Sequence, residues 1–201
     1  MFAGTEEKRF EKKLLLCPLL GVSLAMCLNI IVSLIRVDRL FPGYATEIRP
    51  WLFRFPLWSG ILLYGVFTPI VEEFIFRWLF FRKLCTYVRA ESALIASSLI
   101  FGLYHGNAVQ FIYAFIFGLI LGYVYRRFEN ILSAIFIHSA ANIYVYVMYF
   151  IPSETVLGTS GSALILAGLS GLVSIGILMY FVRTETNKSS LPEKPLFPGK
   201  L

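Results

Sequence analysis

Three groups of residues in this chain have the types and spacing to do acid–base chemistry. Glu72, Glu73 and Arg77 fall within six residues, in the run Val71-Glu72-Glu73-Phe74-Ile75-Phe76-Arg77. His105 stands four residues after Phe101 at the end of a second apolar run, and His138 stands four before Asn142 in a third. They are the only histidines in the chain. On insertion scales a charge at the centre of a membrane helix costs about 2.5–3.5 kcal/mol. Three charges so close together need a structural or chemical reason, and the six polar residues suggest one shared site within the bilayer.

Helical geometry divides the work among them. Glu73 and Arg77 are i,i+4 on one face, with the acid N-terminal to the base, the favourable order for an ion pair. Glu72 points roughly 100° away at 3.6 residues per turn, so its partner must come from another helix or from water. That makes Glu73–Arg77 an internal pair holding the helix and Glu72 the reactive carboxylate. His138 and Asn142 are also i,i+4. A ring that both carries a proton and donates, beside an amide with two N–H groups, is what a developing oxyanion needs.

Each group also has a structural alternative. The two glutamates and the arginine could be a packing network, His138 and Asn142 an interhelical clamp, and His105, flanked by Gly102 and Gly106, a packed and satisfied ring. Two His and one Glu could form a catalytic zinc site with an open position, but HExxH is absent and the histidines lie 33 residues apart. No metal or other cofactor is therefore expected, with zinc as the alternative. Ser139 lacks a Gly-x-Ser-x-Gly setting, which argues against a serine hydrolase. A single polar cluster with no visible inverted repeat argues against a proton-coupled transporter.

The elements that must position these groups are membrane helices. The 201 residues are 58% hydrophobic and 15% charged, with a mean hydropathy of +0.74, far from the roughly 25% charged of soluble domains. At about 20 residues per span, six helices are expected, near residues 14–35, 57–83, 91–105, 108–125, 130–150 and 161–182. They form an all-α polytopic bundle that is a single integral membrane domain over 1–201. Pro69, one turn before Glu72, should kink or split the second span, and Arg126 and Arg127 should stop the fourth. Residues 36–56, with four arginines, four helix breakers and Trp51, Phe53 and Phe55 between them, read as an interfacial segment. The third span is rich in small residues, and Gly118 and Gly122 in the fourth have the small-xxx-small spacing of close helix packing. The polar tail 183–201 reads as flexible.

The net charge of +6 does not indicate nucleic-acid binding, because Lys and Arg gather at the span ends, where they set topology and meet anionic lipid. With both termini in the cytoplasm, thirteen Lys and Arg fall inside and four outside. Cys17, Cys27 and Cys85 are an odd set with no CxxC, which argues against a disulfide framework or a metal knuckle. The first apolar run is too long for a signal peptide and no cleavage site follows it.

At Glu72-Glu73-x-x-x-Arg77, Phe101-x-x-x-His105 and His138-x-x-x-Asn142, in that order on successive helices, the sequence resembles the CAAX protease and bacteriocin-processing (CPBP, or Abi) family of intramembrane endopeptidases. That family includes the Ras-converting CAAX prenyl endopeptidases. The resemblance covers about residues 57–150. It implies a helical bundle with a cytoplasm-facing polar cavity and glutamate-dependent proteolysis without a metal. It further implies that Glu72 with His105 activates water, that His138 and Asn142 stabilise the oxyanion, and that Glu73 and Arg77 shape the site. The expected partners are the lipid bilayer and a peptide precursor or membrane-protein substrate, in a bacterial cytoplasmic membrane. Some members are associated with bacteriocin self-immunity, so a non-proteolytic immunity or scaffold role is the second reading. Substrate identity and oligomeric state are not legible.

Overall fold

The computed structural model describes residues 3–151 and 160–185, which are mostly helical with no strand among them. Six helices carry the apolar runs: α1 (Ala3–Leu34), α2 (Leu57–Leu84), α3 (Ala90–Tyr104), α4 (Ala108–Phe128), α5 (Ile131–Tyr149) and α6 (Ser160–Glu185). Five of them are long and apolar enough to cross a membrane. The expected third span, α3, has only 15 residues. At 1.5 Å per residue it is about 22 Å long, short of the roughly 30 Å hydrocarbon core. It packs instead as the short arm of a hairpin with α4.

Local signals set most helix ends. Asn107 and Asn130 cap α4 and α5, their side chains accepting from the backbone N–H groups of Gln110 and Leu132, as N-cap residues do. Gly106 turns the α3–α4 hairpin at φ 70°, a left-handed conformation natural to glycine. Arg126 and Arg127 do not stop α4. The helix runs through them to Phe128 and ends at Glu129, which is left-handed at φ 50°. Cations in a last helical turn are favourable to the helix dipole, so they do not terminate it. The polar residues from Ala3 onward continue α1 as helix, and Arg183–Glu185 continue α6. The flexible tail expected at 183–201 otherwise lies outside the described residues.

Pro69 neither splits nor ends α2. A proline inside a helix lacks the N–H and its ring meets the carbonyl four residues back. Here the turn before it, Ile61–Phe67, is π-helical, and Thr68 N–H reaches back five residues to Leu63 O. The extra residue per turn makes room for the ring. Pro50 repeats the device: Tyr44–Ile48 is π-helical and flows into the short helix Arg49–Leu52. The 36–56 connection is therefore more helical than its prolines suggest. It is pinned at its end, where Phe53 stacks on Tyr149 at 4.0 Å and Tyr146 donates from its hydroxyl to Phe55 O at 2.8 Å.

The core lies where α1, α4, α5 and α6 meet, around Leu20, Phe117, Leu121, Ile137 and Phe181, all essentially inaccessible. Outward faces are apolar instead: Leu62, Phe67, Val71, Leu164, Ile165 and Leu172 are each more than half exposed. Such a surface is a liability in water and suited to lipid. Packing in lipid rewards close backbone approach, and α1 meets α5 at its tightest point at Gly21, where any Cβ would fall on the Ile137 carbonyl. Gly21→Ala should therefore lower stability by about 1–3 kcal/mol through overpacking, whereas Gly168→Ala, with open space around the added Cβ, should be nearly neutral. Thermal unfolding in detergent separates the two; equal shifts would mean that α1 does not seat on α5 in this way.

Candidate active site

The second helix delivers two carboxylates and a guanidinium to one buried point. Glu73 is inaccessible, Arg77 1% exposed and Glu72 7% exposed. The expected i,i+4 pair is present, Arg77 Nη1 donating to Glu73 Oε1 at 2.9 Å. Arg77 Nη2 reaches the Gly118 carbonyl on α4 at 3.3 Å, and its guanidinium lies over the Phe101 ring, 4.3 Å from the centroid. Gly118 is as bare as this needs, since a Cβ there would press on Phe101, Ser98 and Arg77 itself. The small-xxx-small spacing read from the sequence thus serves the arginine as well as the α3–α4 contact.

The fifth helix brings His138 onto the same oxygen. Its Nδ1 lies 2.7 Å from Glu73 Oε1, and since a carboxylate only accepts, Nδ1 carries the proton. The other ring nitrogen, Nε2, faces Glu72 Oε2 at 3.6 Å. That gap is too long for a direct hydrogen bond; a water or a substrate oxygen could touch both groups. His138 therefore lies between the two glutamates, held by one and facing the other. The remaining oxygen of Glu73, Oε2, is buried with no hydrogen-bond partner among the described residues.

Asn142, one turn on, donates from Nδ2 to Tyr64 O on α2 at 2.9 Å. Its second N–H and its Oδ1 have no partner among the described residues. His105 lies at the end of α3, where Nδ1 donates to Phe101 O at 2.8 Å and leaves Nε2 as the free ring nitrogen. It joins the cluster through Phe101, whose ring meets His105 edge-on at 5.0 Å and His138 edge-on at 5.8 Å. The structure thus gathers Glu72, Glu73, Arg77 and His138 in direct contact, with His105 one aromatic ring away and Asn142 one turn away.

Two carboxylates, one guanidinium and one imidazole share this buried site, with Glu72 and His138 Nε2 facing each other across 3.6 Å. Among the described residues, no three His, Cys, Asp or Glu side chains gather as a metal site. A cavity of about 260 Å³ is walled by Phe41, Tyr44, Glu47 and Asn107 among others. It adjoins the His105 turn, but neither Glu72 nor His138 lines it.

Sequence reasoning missed the supporting groups. Phe101 was legible as a motif position but not as the ring between the histidines. The carbonyls of Tyr64 and Gly118 carry no side-chain signal at all, although Pro69, five residues after Tyr64, and the Gly118–Gly122 spacing mark their neighbourhoods.

Comparison with known proteins points the same way as the motifs. Residues 54–144 match the family model described as type II CAAX prenyl endopeptidase Rce1-like. The chain is 30% identical over 111 residues to a Bacillus subtilis (strain 168) protein named "Putative membrane peptidase YdiL". That alignment covers 54% of this chain and 46% of the relative, so the chain matches about half of the relative's length. No solved structure matches the chain. The stretch matched by the family model, residues 54–144, carries all three motifs.

Proposed function

We propose that this protein is an intramembrane endopeptidase that hydrolyses a peptide bond in a peptide precursor or a membrane-associated protein, with glutamate-activated water. The observation that carries the reading is the placement of His138, held by Glu73 through Nδ1 and facing Glu72 through Nε2. A purely structural ion network is satisfied by Glu73, Arg77 and one donor. It has no use for a second buried carboxylate that, among the described residues, faces His138 Nε2 at 3.6 Å without a hydrogen bond.

In this mechanism Glu72 accepts a proton from water as the water oxygen bonds to the scissile carbonyl carbon. His105 Nε2 fixes that water. The carbonyl oxygen becomes an oxyanion and is stabilised by His138 Nε2–H and the second N–H of Asn142. The C–N bond then breaks as the proton held by Glu72 passes, with His105 as relay, to the leaving amine. The products are a new carboxylic acid and a new amine, the acid's proton passing to the amine to leave carboxylate and ammonium, and no oxidant or metal enters the balance. Arg77 and Glu73 touch neither substrate nor water; Glu73 holds the His138 ring through Nδ1, and Arg77 holds Glu73. Its place would be a bacterial cytoplasmic membrane, and the loop charges favour both termini in the cytoplasm.

Glu72→Gln tests this against the structural alternative, because it keeps the shape and removes the base. Turnover should be lost while the unfolding midpoint in detergent stays near wild type. Arg77→Ala should instead remove both, since an uncompensated buried carboxylate costs about 3–5 kcal/mol. Comparative peptidomics of membranes expressing wild type or Glu72→Gln at matched levels reads the first outcome and reveals the substrate class. Absence of any peptide specific to the wild type would favour the immunity or scaffold reading. On a substrate found this way, Asn142→Ala should lower kcat by roughly 10²–10³, the effect of losing one oxyanion donor. Cleavage by the purified protein should survive zinc chelation; loss that zinc restores would mean a metal mechanism.

A further inference from the structure

We infer that Pro69 is a positioning residue: it creates the backbone acceptor that anchors Asn142. In the π-helical turn of α2, Thr68 N–H donates to Leu63 O, five residues back. Continued by one residue, the same register would pair position 69 with Tyr64 O. Proline has no N–H, so the helix itself leaves that carbonyl without its donor. Asn142 Nδ2 donates to it at 2.9 Å from α5. The side-chain amide thus stands where the missing backbone amide would have been. The Asn142–Tyr64 hydrogen bond is partly buried, and a carbonyl left without a donor in such a place is costly.

The consequence lies in the other half of the amide. With one N–H on Tyr64 O, the amide plane is fixed, and the second N–H has no partner among the described residues. It is the only N–H of Asn142 left for a ligand. The anchor lies beside Gly65, where a Cβ would press on Ile143 Cγ1, and near Gly60, where it would fall in the Tyr146 ring. These two bare positions let α5 come close enough for a short amide side chain to span the gap. Proline, widened turn and glycines act together as a seat for one side chain. The link to catalysis rests on the endopeptidase reading; the anchor itself does not.

A double-mutant cycle separates the two. Pro69→Ala restores an N–H that can serve Tyr64 O. Asn142→Ala should lower the unfolding midpoint in detergent markedly in the wild-type background and by less than half as much in the Pro69→Ala background, because the carbonyl then keeps a donor. Equal shifts in both backgrounds, the signature of independent sites, would overturn the inference. Asn142→Ser run through the same cycle serves if Asn142→Ala does not fold. On a peptide whose cleavage Glu72→Gln abolishes, Pro69→Ala should lower kcat with KM unchanged, as a loosened donor does and a displaced substrate does not. Unchanged kcat would overturn the positioning role. If no cleavage depends on Glu72, the endopeptidase reading fails, and the thermal cycle still decides the anchor.

Discussion

One buried carboxylate constrains the rest of this molecule. Glu73 is removed from solvent altogether, and a lone ionised carboxylate in such a place would be prohibitively costly. It is tolerated because Arg77 and His138 converge on its Oε1 at 2.9 and 2.7 Å. Each of those partners is held in turn, Arg77 by the Gly118 carbonyl and the Phe101 face, His138 by the packing of α5. Satisfying one charge therefore fixes the relation of α2 to α4 and α5. Glu72 faces His138 from the next position along the chain, so the side chain that settles the structural charge also meets the reactive one.

The backbone is shaped to allow this. Membrane helices gain little from burying apolar surface against one another, so close approach and interhelical hydrogen bonds decide their packing. Along one face of α5, residues 138, 142 and 146 make polar contacts to Glu73, Tyr64 O and Phe55 O in turn. The last two accept on backbone carbonyls, in stretches where a π-helical turn or a proline has changed the ordinary ladder. Irregular backbone is stable at membrane depth only where protein groups satisfy it, and α5 supplies them. The site is thus a seam between a regular helix and a deliberately irregular one.

Much of this was legible in the sequence, for physical reasons. Charge in an apolar run is conspicuous, so Glu72, Glu73 and Arg77 stood out, and the i,i+4 rule alone paired Glu73 with Arg77. The same rule placed His138 and Asn142 on one face. Helix existence followed from hydropathy, because apolar runs of about 20 residues have the length of a membrane helix. What was not legible depends on backbone geometry or on distance across the bundle. The widened turn before Pro69 has no sequence marker beyond the proline, which reads equally well as a break. Arg126 and Arg127 read as a stop, whereas the stop is the left-handed Glu129. That both nitrogens of His138 face glutamates, and that Phe101 stands between the histidines, follow only once α2, α3 and α5 are packed.

Glu73 orients His138 toward Glu72, and nitrogen spectroscopy of the two histidines tests that orientation. With only His105 and His138 in the chain, ¹⁵N-histidine labelling gives four ring signals, and His138→Asn assigns them. His138 Nδ1 should be protonated in wild type and remain so in Glu72→Gln, while the Nε2 signal of the same ring moves on that substitution. A bare Nδ1, or an Nε2 signal indifferent to Glu72→Gln, would contradict it.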